Sequence, residues 1–218
     1  MNIAQRTITF FGGFLKAYGP SNLKRLLWDR EFSGSKWNFI DNTAGDFVYP
    51  HLEKHLHNGS ILDLGCGPGN TANELAANSY QSYVGVDISE AALGKARKRS
   101  KETGRENKNR FLQDDFINYV PTERFDVILF RESMYHVPMG KIQAMLDRFS
   151  SYLKDGGVFV VRMSTFSPSG DRSKHRPTAM MRVMENGFDV VEKHQNGDSG
   201  PTVIVFRPRK PGNPAAAH

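Results

Sequence analysis

Between residues 44 and 207 two hydrophobic rhythms alternate along the chain. YVGV at 83–86, FDVILF at 125–130, VFVVRM at 158–163 and TVIVF at 202–206 are short, mostly apolar runs. Their length and their Val and Ile content mark them as strands covered on both faces. Between them the apolar residues recur every three or four positions, as in AGDFVYPHLEKHLH at 44–57, the pattern of a helix with one buried face. The full reading is helix 44–57, strand 60–64, helix 70–78, strand 83–86, helix 89–103, strand 110–114 and strand 125–130. It continues with helix 139–153, a turn at Lys154–Gly157, strand 158–163, helix 176–186 and strands 189–194 and 202–206. Strands separated by helices predict an α/β fold with a doubly wound, mostly parallel sheet and helices on both faces. The last two strands are joined by HQNGDSGP, too short for a crossover helix, so they pair antiparallel.

No internal repeat and no second domain break this series. Residues 1–43 carry no clear strand and are expected to form a flap or lid segment, 44–208 the folded domain, and 209–218 a disordered tail. The apolar piece ITFFGGFL is short, is broken by Gly12 and Gly13, and lacks a small-residue cleavage site, which argues against a signal peptide. No apolar run approaches a membrane span. Cys66 is the single cysteine among 218 residues, so no intramolecular disulfide can form and a reducing, cytoplasmic setting is expected. Cys66 has no partner cysteine for a metal site, and no metal is expected. The net charge of +6 and the pI of about 9.4 raise the question of an anionic partner. The densest run, KARKRSKETGRENKNR at 95–110, lacks interleaved aromatics and reads as the solvated face of a helix; nucleic acid is not expected as a partner.

The chemistry concentrates where strands end. Residues 61–70 read ILDLGCGPGN, a buried strand followed by Gly65, Gly67 and Gly69, then a helix. Glycine is the residue for tight turns and close backbone approach, and a strand–glycine turn–helix unit points backbone amides at a ligand. A dinucleotide loop needs a third glycine where Asn70 stands, and no G-K-[ST] follows for a phosphate loop. The carboxylate of Asp63 would sit badly beside a pyrophosphate and well beside a cationic ligand. The second strand closes on Asp87, placed to accept hydrogen bonds from ribose hydroxyls. A nicotinamide-dependent oxidoreductase is disfavoured on these grounds.

Taken in order, DLGCGPG, VGVDIS, QDDF, FDVILFRESMYHVP and LKDGGVFVVR resemble the class I S-adenosylmethionine-dependent methyltransferases, over roughly residues 44–207. The resemblance implies a Rossmann-like sheet of seven strands with the last inserted antiparallel, and S-adenosyl-L-methionine as cofactor with S-adenosyl-L-homocysteine as product. It implies that Asp63, Gly65, Gly67 and Gly69 lie against the methionine part and that Asp87 binds the ribose hydroxyls. Asp115 would accept from the adenine amino group, with Phe116 at the ring edge and Ile88 on its face. Asp114 stands where many relatives have glycine. Phe130 and Arg131 fall where the family's chain passes the methionine amine and carboxylate. The segment WDREFSGSKWNFID at 28–41 is similar to a covering segment in a subset of the family, which makes Trp37 a candidate contact.

Methyl transfer asks the protein to position an acceptor and, where needed, to remove its proton. His136, six residues past the fourth strand, is the candidate base on the ordinary histidine pKa near 6.5. Tyr135 and Glu132 are weaker candidates, as are Tyr18 and the loop residues Arg172, His175 and Arg176. No signature of amino-methylating DNA enzymes or of cytosine C5 enzymes is present. A small-molecule acceptor methylated on oxygen or nitrogen is expected. The alternative is an RNA or protein acceptor docking on the basic 95–110 segment, or a module that binds the cofactor without catalysis. The identity of the acceptor and the oligomeric state are not written in the sequence.

Overall fold

The computed structural model describes residues 15–16, 18–34, 43–164, 175–198 and 200–209. Trp37 and Arg172 lie outside the described residues. Seven strands form one sheet: β1 (Ser60–Leu64), β2 (Ser82–Asp87), β3 (Asn109–Gln113), β4 (Phe125–Arg131), β5 (Leu153–Met163), β6 (Asp189–Gln195) and β7 (Thr202–Arg207). Their order is β3-β2-β1-β4-β5-β7-β6. The first five pair parallel, while β7 runs antiparallel between β5 and β6. The helices are α1 (Ser21–Ser33), α2 (Val48–Leu56), α3 (Asn70–Glu74), α4 (Glu90–Glu102), α5 (Ile142–Ser150) and α6 (His175–Gly187). No helix among the described residues is long and apolar enough to cross a membrane.

The sheet divides the core in two. On one face Val48, Leu52 and Leu56 of α2, Ala72 of α3 and Leu93 and Ala96 of α4 pack with Ile61 and Val127. On the other, Met145, Leu146 and Phe149 of α5 and Met180 and Met184 of α6 cover Leu62, Phe130 and Phe159. Every residue of β1 is buried, which is why, after Ser60, its sequence is apolar but for one aspartate. Strand order reverses between β1 and β4, and in such sheets the crevice beyond the strands' carboxyl ends is where ligands sit.

Three elements are shorter than the periodicity predicts, the first two for a polar reason. The helix expected at 44–57 begins at Val48, whose amide is taken by Asp46 Oδ1 at 3.0 Å. Upstream, the Thr43 hydroxyl and amide bond Glu74. The helix expected at 70–78 stops at Glu74 because the Arg105 guanidinium claims the carbonyls of Ala72 and Leu75. The helix expected at 139–153 is α only over Ile142–Ser150, preceded by a 3-10 turn at Met139–Lys141. Residues 153–157 join β5 in place of a simple turn. The start predicted at Ser89 holds: its hydroxyl accepts from the Ala92 amide at 3.2 Å as an N-cap.

Candidate cofactor and acceptor site

A cavity of about 810 Å³ opens at the carboxyl ends of β1, β2 and β4. The loop after β1 forms its floor. Gly65, Gly67 and Gly69 all have positive φ, at 83°, 54° and 75°, a conformation that side-chain-bearing residues avoid. Two of them carry distinct duties. A Cβ on Gly65 would stand 2.5 Å from Ser133 Cβ, whereas a Cβ on Gly67 would meet nothing nearer than Phe32 Cζ at 3.8 Å. Gly65 therefore packs the loop onto the turn after β4, and Gly67 leaves bare backbone facing the cavity.

Asp87 lies beside that loop. Its Oδ2 accepts from the Gly67 amide at 2.8 Å and its Oδ1 from the Ser89 amide at 2.9 Å. Burial pushes its pKa up to about 6 against the pull of these amides. Gly65, Gly67, Asp87, Ile88, Asp115, Phe116, Arg131 and His136 line the cavity, while Asp63, Gly69, Asp114 and Phe130 do not reach its surface. Asp114 is exposed and contributes its amide to the Asp87 carbonyl at 3.0 Å. Phe130 is fully buried, edge-on to Phe116 with centroids 6.1 Å apart, and so supports the wall from behind.

Asp63 also sits behind the wall, 1% exposed. The Tyr83 hydroxyl donates to its Oδ2 at 2.6 Å, and Oδ1 makes no hydrogen bond among the described residues. Burial lifts its pKa to about 6, opposed by Tyr83 and by the Arg131 charge. A carboxyl raised this way penalises the fold once it ionises, a penalty that grows from about pH 4 and is complete above about pH 6. Asp63→Asn is accordingly expected to raise Tm at pH 8 by about 3–6 °C, from roughly 1–2 kcal/mol of relief. The gain shrinks as pH falls from 6 to 4, and thermal unfolding at pH 8 and pH 4.5 measures it. A lower Tm at pH 8 would mean that the charge is a net stabiliser.

Helix α1 covers one side of the cavity with Lys24, Trp28 and Phe32. Lys24 Nζ and Ser21 Oγ each lie 3.0 Å from Asp115 Oδ2, and the Ile117 amide donates to Oδ1 at 3.2 Å. Asp115, expected to receive an adenine amino group, thus also anchors α1. A second anchor is Asp29 Oδ1, which accepts from the Ser89 hydroxyl at 2.7 Å and the Ala91 amide at 3.1 Å. At the far end, Asp46 Oδ2 lies 2.8 Å from Arg131 and 3.3 Å from Arg162. Glu132, with φ at 55°, holds Arg162 and the Ser164 hydroxyl with one oxygen. Lys24, Trp28, Asp46 and Arg162 were not singled out in the sequence; Trp28, Asp46 and Arg162 stood in segments already noted, but Lys24 carried no local signal.

His136 lies half-buried in the cavity wall with its ring edge-on to Trp28, centroids 4.8 Å apart. Burial, with the nearby charges of Lys16 and Arg176, lowers its pKa to about 4. The ordinary value expected from sequence does not hold, because three remote segments converge on the ring. Tyr135 donates to the Ser164 carbonyl at 2.8 Å, and burial beside Glu132 pushes its phenol far above the usual range. Cys66 lines the cavity but burial and the charges of Asp87 and Asp63 push its thiol up, which fits a small filler and not a nucleophile.

Several residues of the basic run make bonds within the protein, while Lys98 stays exposed. Arg97 pairs with Glu90 at 2.5 Å, and Arg99 reaches Glu74 at 3.0 Å and Asn70 Oδ1 at 2.7 Å. Arg105 and Lys108 bind main-chain carbonyls.

Residues 37–197 match the family described as methyltransferase domain. A sterol 24-C-methyltransferase of Aspergillus fumigatus is 24% identical over 177 residues, covering 75% of this chain and 46% of that protein. A trans-aconitate 2-methyltransferase of Variovorax paradoxus is 34% identical over 106 residues, covering 47% of this chain and 38% of that protein. The chain spans about half or less of the length of these curated relatives. In fold it is similar to the N-methyltransferase NodS of Bradyrhizobium japonicum WM9, solved with S-adenosyl-L-homocysteine. The TM-score is 0.64 at 20% identity, over 85% of this chain and 98% of that one. Because the family match runs through most of the sequence, including every strand up to β6, the chain belongs to the methyltransferase-domain family, among the class I S-adenosylmethionine-dependent methyltransferases.

Proposed function

We propose that this chain transfers a methyl group from S-adenosylmethionine to an oxygen or nitrogen of a small-molecule acceptor held in the same cavity. The observation that carries this reading is Gly67, whose missing side chain opens backbone onto a cavity that the Asp87 carboxylate also lines. Bound there, S-adenosylmethionine supplies an electrophilic methyl on a sulfonium centre. Asp87 is already fixed by two amides and keeps further lone pairs for ribose hydroxyls. Asp63, one layer deeper, adds negative charge behind a cationic ligand.

The chain's remaining task is to orient the acceptor. His136 is neutral above its pKa of about 4, so a ring nitrogen can accept a hydrogen bond from an acceptor O–H or N–H at any working pH. So low a pKa makes it a weak proton sink, and its part is alignment more than proton removal. Arg176 lines the cavity with its Nε making no hydrogen bond among the described residues, while NH2 donates to the Val137 carbonyl at 3.0 Å. It has no carboxylate partner among the described residues. A planar oxyanion on the acceptor, such as a carboxylate, satisfies that guanidinium. The names of the sterol and trans-aconitate relatives support a small acceptor. The internal commitments of Arg99, Arg105 and Lys108 count against a macromolecular docking face there.

The test is a panel of small carboxylic acids and their amides, incubated with S-adenosylmethionine while S-adenosylhomocysteine release is followed. The acids are expected to be methylated, and Arg176→Gln to lower kcat/KM toward them by about 10–100-fold, the value of one charge-assisted pair. Wild-type activity should show no inflection near pH 6.5 that disappears in His136→Asn. Methylation of RNA or protein with none of any small molecule would contradict the proposal.

A further inference from the structure

A second group of side chains lies away from the cavity, between α2 and β6. His51 and His55 are four residues apart on this helix and so point the same way. Glu192 and His194, two apart on β6, share a strand face, just past a register shift between Val190 and Glu192. The helical and strand periods therefore bring three imidazoles and one carboxylate to one spot, from positions about 140 residues apart. None of the four lines the cavity.

The distances approach those of coordination, and the exposed His194 ring can close the widest of them. Glu192 Oε1 lies 3.2 Å from His51 Nδ1 and 3.0 Å from His55 Nε2, and Oε2 lies 3.7 Å from His194 Nε2. The rings of His51 and His194 are 4.8 Å apart. One donor atom from each of His51, Glu192 and His194 falls within 4.8 Å of the others. Around a tetrahedral ion with bonds near 2.0–2.2 Å, ligand atoms stand about 3.3–3.5 Å apart. We propose that His51, Glu192 and His194 bind one divalent transition-metal ion of the zinc class, with His55 holding the carboxylate in place.

Imidazole and carboxylate donors suit zinc, copper or nickel and not calcium, which takes oxygen ligands. Three protein donors leave a fourth position for water. His194 is 56% exposed, which gives the ion a way in. Lys54 Nζ now sits 2.6 Å from Glu192 Oε2 and is 62% exposed, so its ammonium can swing out when a dication takes that oxygen. The ion would tie α2 to the edge strand β6, a structural cross-link independent of methyl transfer. None of these residues was singled out in the sequence: His51 and His55 stand four apart, but Glu192 and His194 are distant in the chain.

The experiment uses the full chain without an affinity tag, stripped with chelator and titrated with zinc chloride by calorimetry. One ion per chain is expected, with affinity at least tenfold tighter than in His51→Ala or His194→Ala. His194 is largely exposed, so its removal should leave the fold intact, as circular dichroism would verify. Lys54→Met is expected to bind zinc severalfold tighter, since it removes the competing cation. Cobalt(II) should give the intense visible absorption of a tetrahedral site, absent in His194→Ala. No binding to the wild type, or binding equally tight in both histidine variants, would overturn the site.

Discussion

Asp87→Ala is expected to weaken S-adenosylmethionine binding by at least about 100-fold while the protein still folds. The effect is large because a carboxylate that accepts two hydroxyl bonds contributes roughly 1.5–3 kcal/mol per bond. Removal also frees the Gly67 and Ser89 amides that Asp87 now receives at 2.8 Å and 2.9 Å, which loosens the glycine loop itself. Stability should change much less than affinity, since the substitution also removes a buried carboxylate whose pKa is already pushed up to about 6. Calorimetric titration and a thermal melt of the same variant separate the two effects. An unchanged affinity would remove Asp87 from the cofactor site.

The glycine loop gives the second large effect, and it splits in two. Gly65→Ala is expected to lower stability by about 3–4 kcal/mol, or some 10 °C in Tm, with binding lost as a consequence. The new Cβ would stand 2.5 Å from Ser133 Cβ, in a residue whose φ of 83° already disfavours a side chain. Ser133 cannot easily yield, because its hydroxyl is bonded to the Leu64 carbonyl at 2.5 Å. Gly67→Ala has room, the nearest atom being 3.8 Å away, and should cost only about 1 kcal/mol of fold for its left-handed backbone. Its methyl instead projects into the cavity and is expected to weaken S-adenosylhomocysteine by ten-fold or more. Equal melting losses in both variants, with binding unaffected in Gly67→Ala, would mean that the loop only packs.

The legible parts of this molecule are local ones. Strand, loop and helix around Ile61–Glu74 are neighbours in sequence, so the burial of β1 and the glycine turn can be read from a dozen residues. Asp87 follows because it closes β2, and Asp115 because it stands two residues past the end of β3. Ser89 could be named as a helix start because an N-cap acts within three residues. What escaped the reading is made by distant partners. Lys24 meets Asp115 across 91 positions, and α1 is so polar (SNLKRLLWDREFS) that its apolar stripe gives little sign of a buried face. His136 kept its place in the cavity but not its ordinary pKa, since Trp28, Lys16 and Arg176 reach it from outside its own segment. Asp63 was expected at the ligand and lies one layer behind, a depth that a strand's sequence does not encode.

The most direct measurement is a calorimetric titration of the wild-type chain with S-adenosylhomocysteine, with NAD as the comparison ligand. One molecule bound per chain at micromolar affinity, with no heat from NAD, is the predicted result. A folded protein that binds no adenosyl ligand, or that binds NAD in its place, would contradict the account of the cavity.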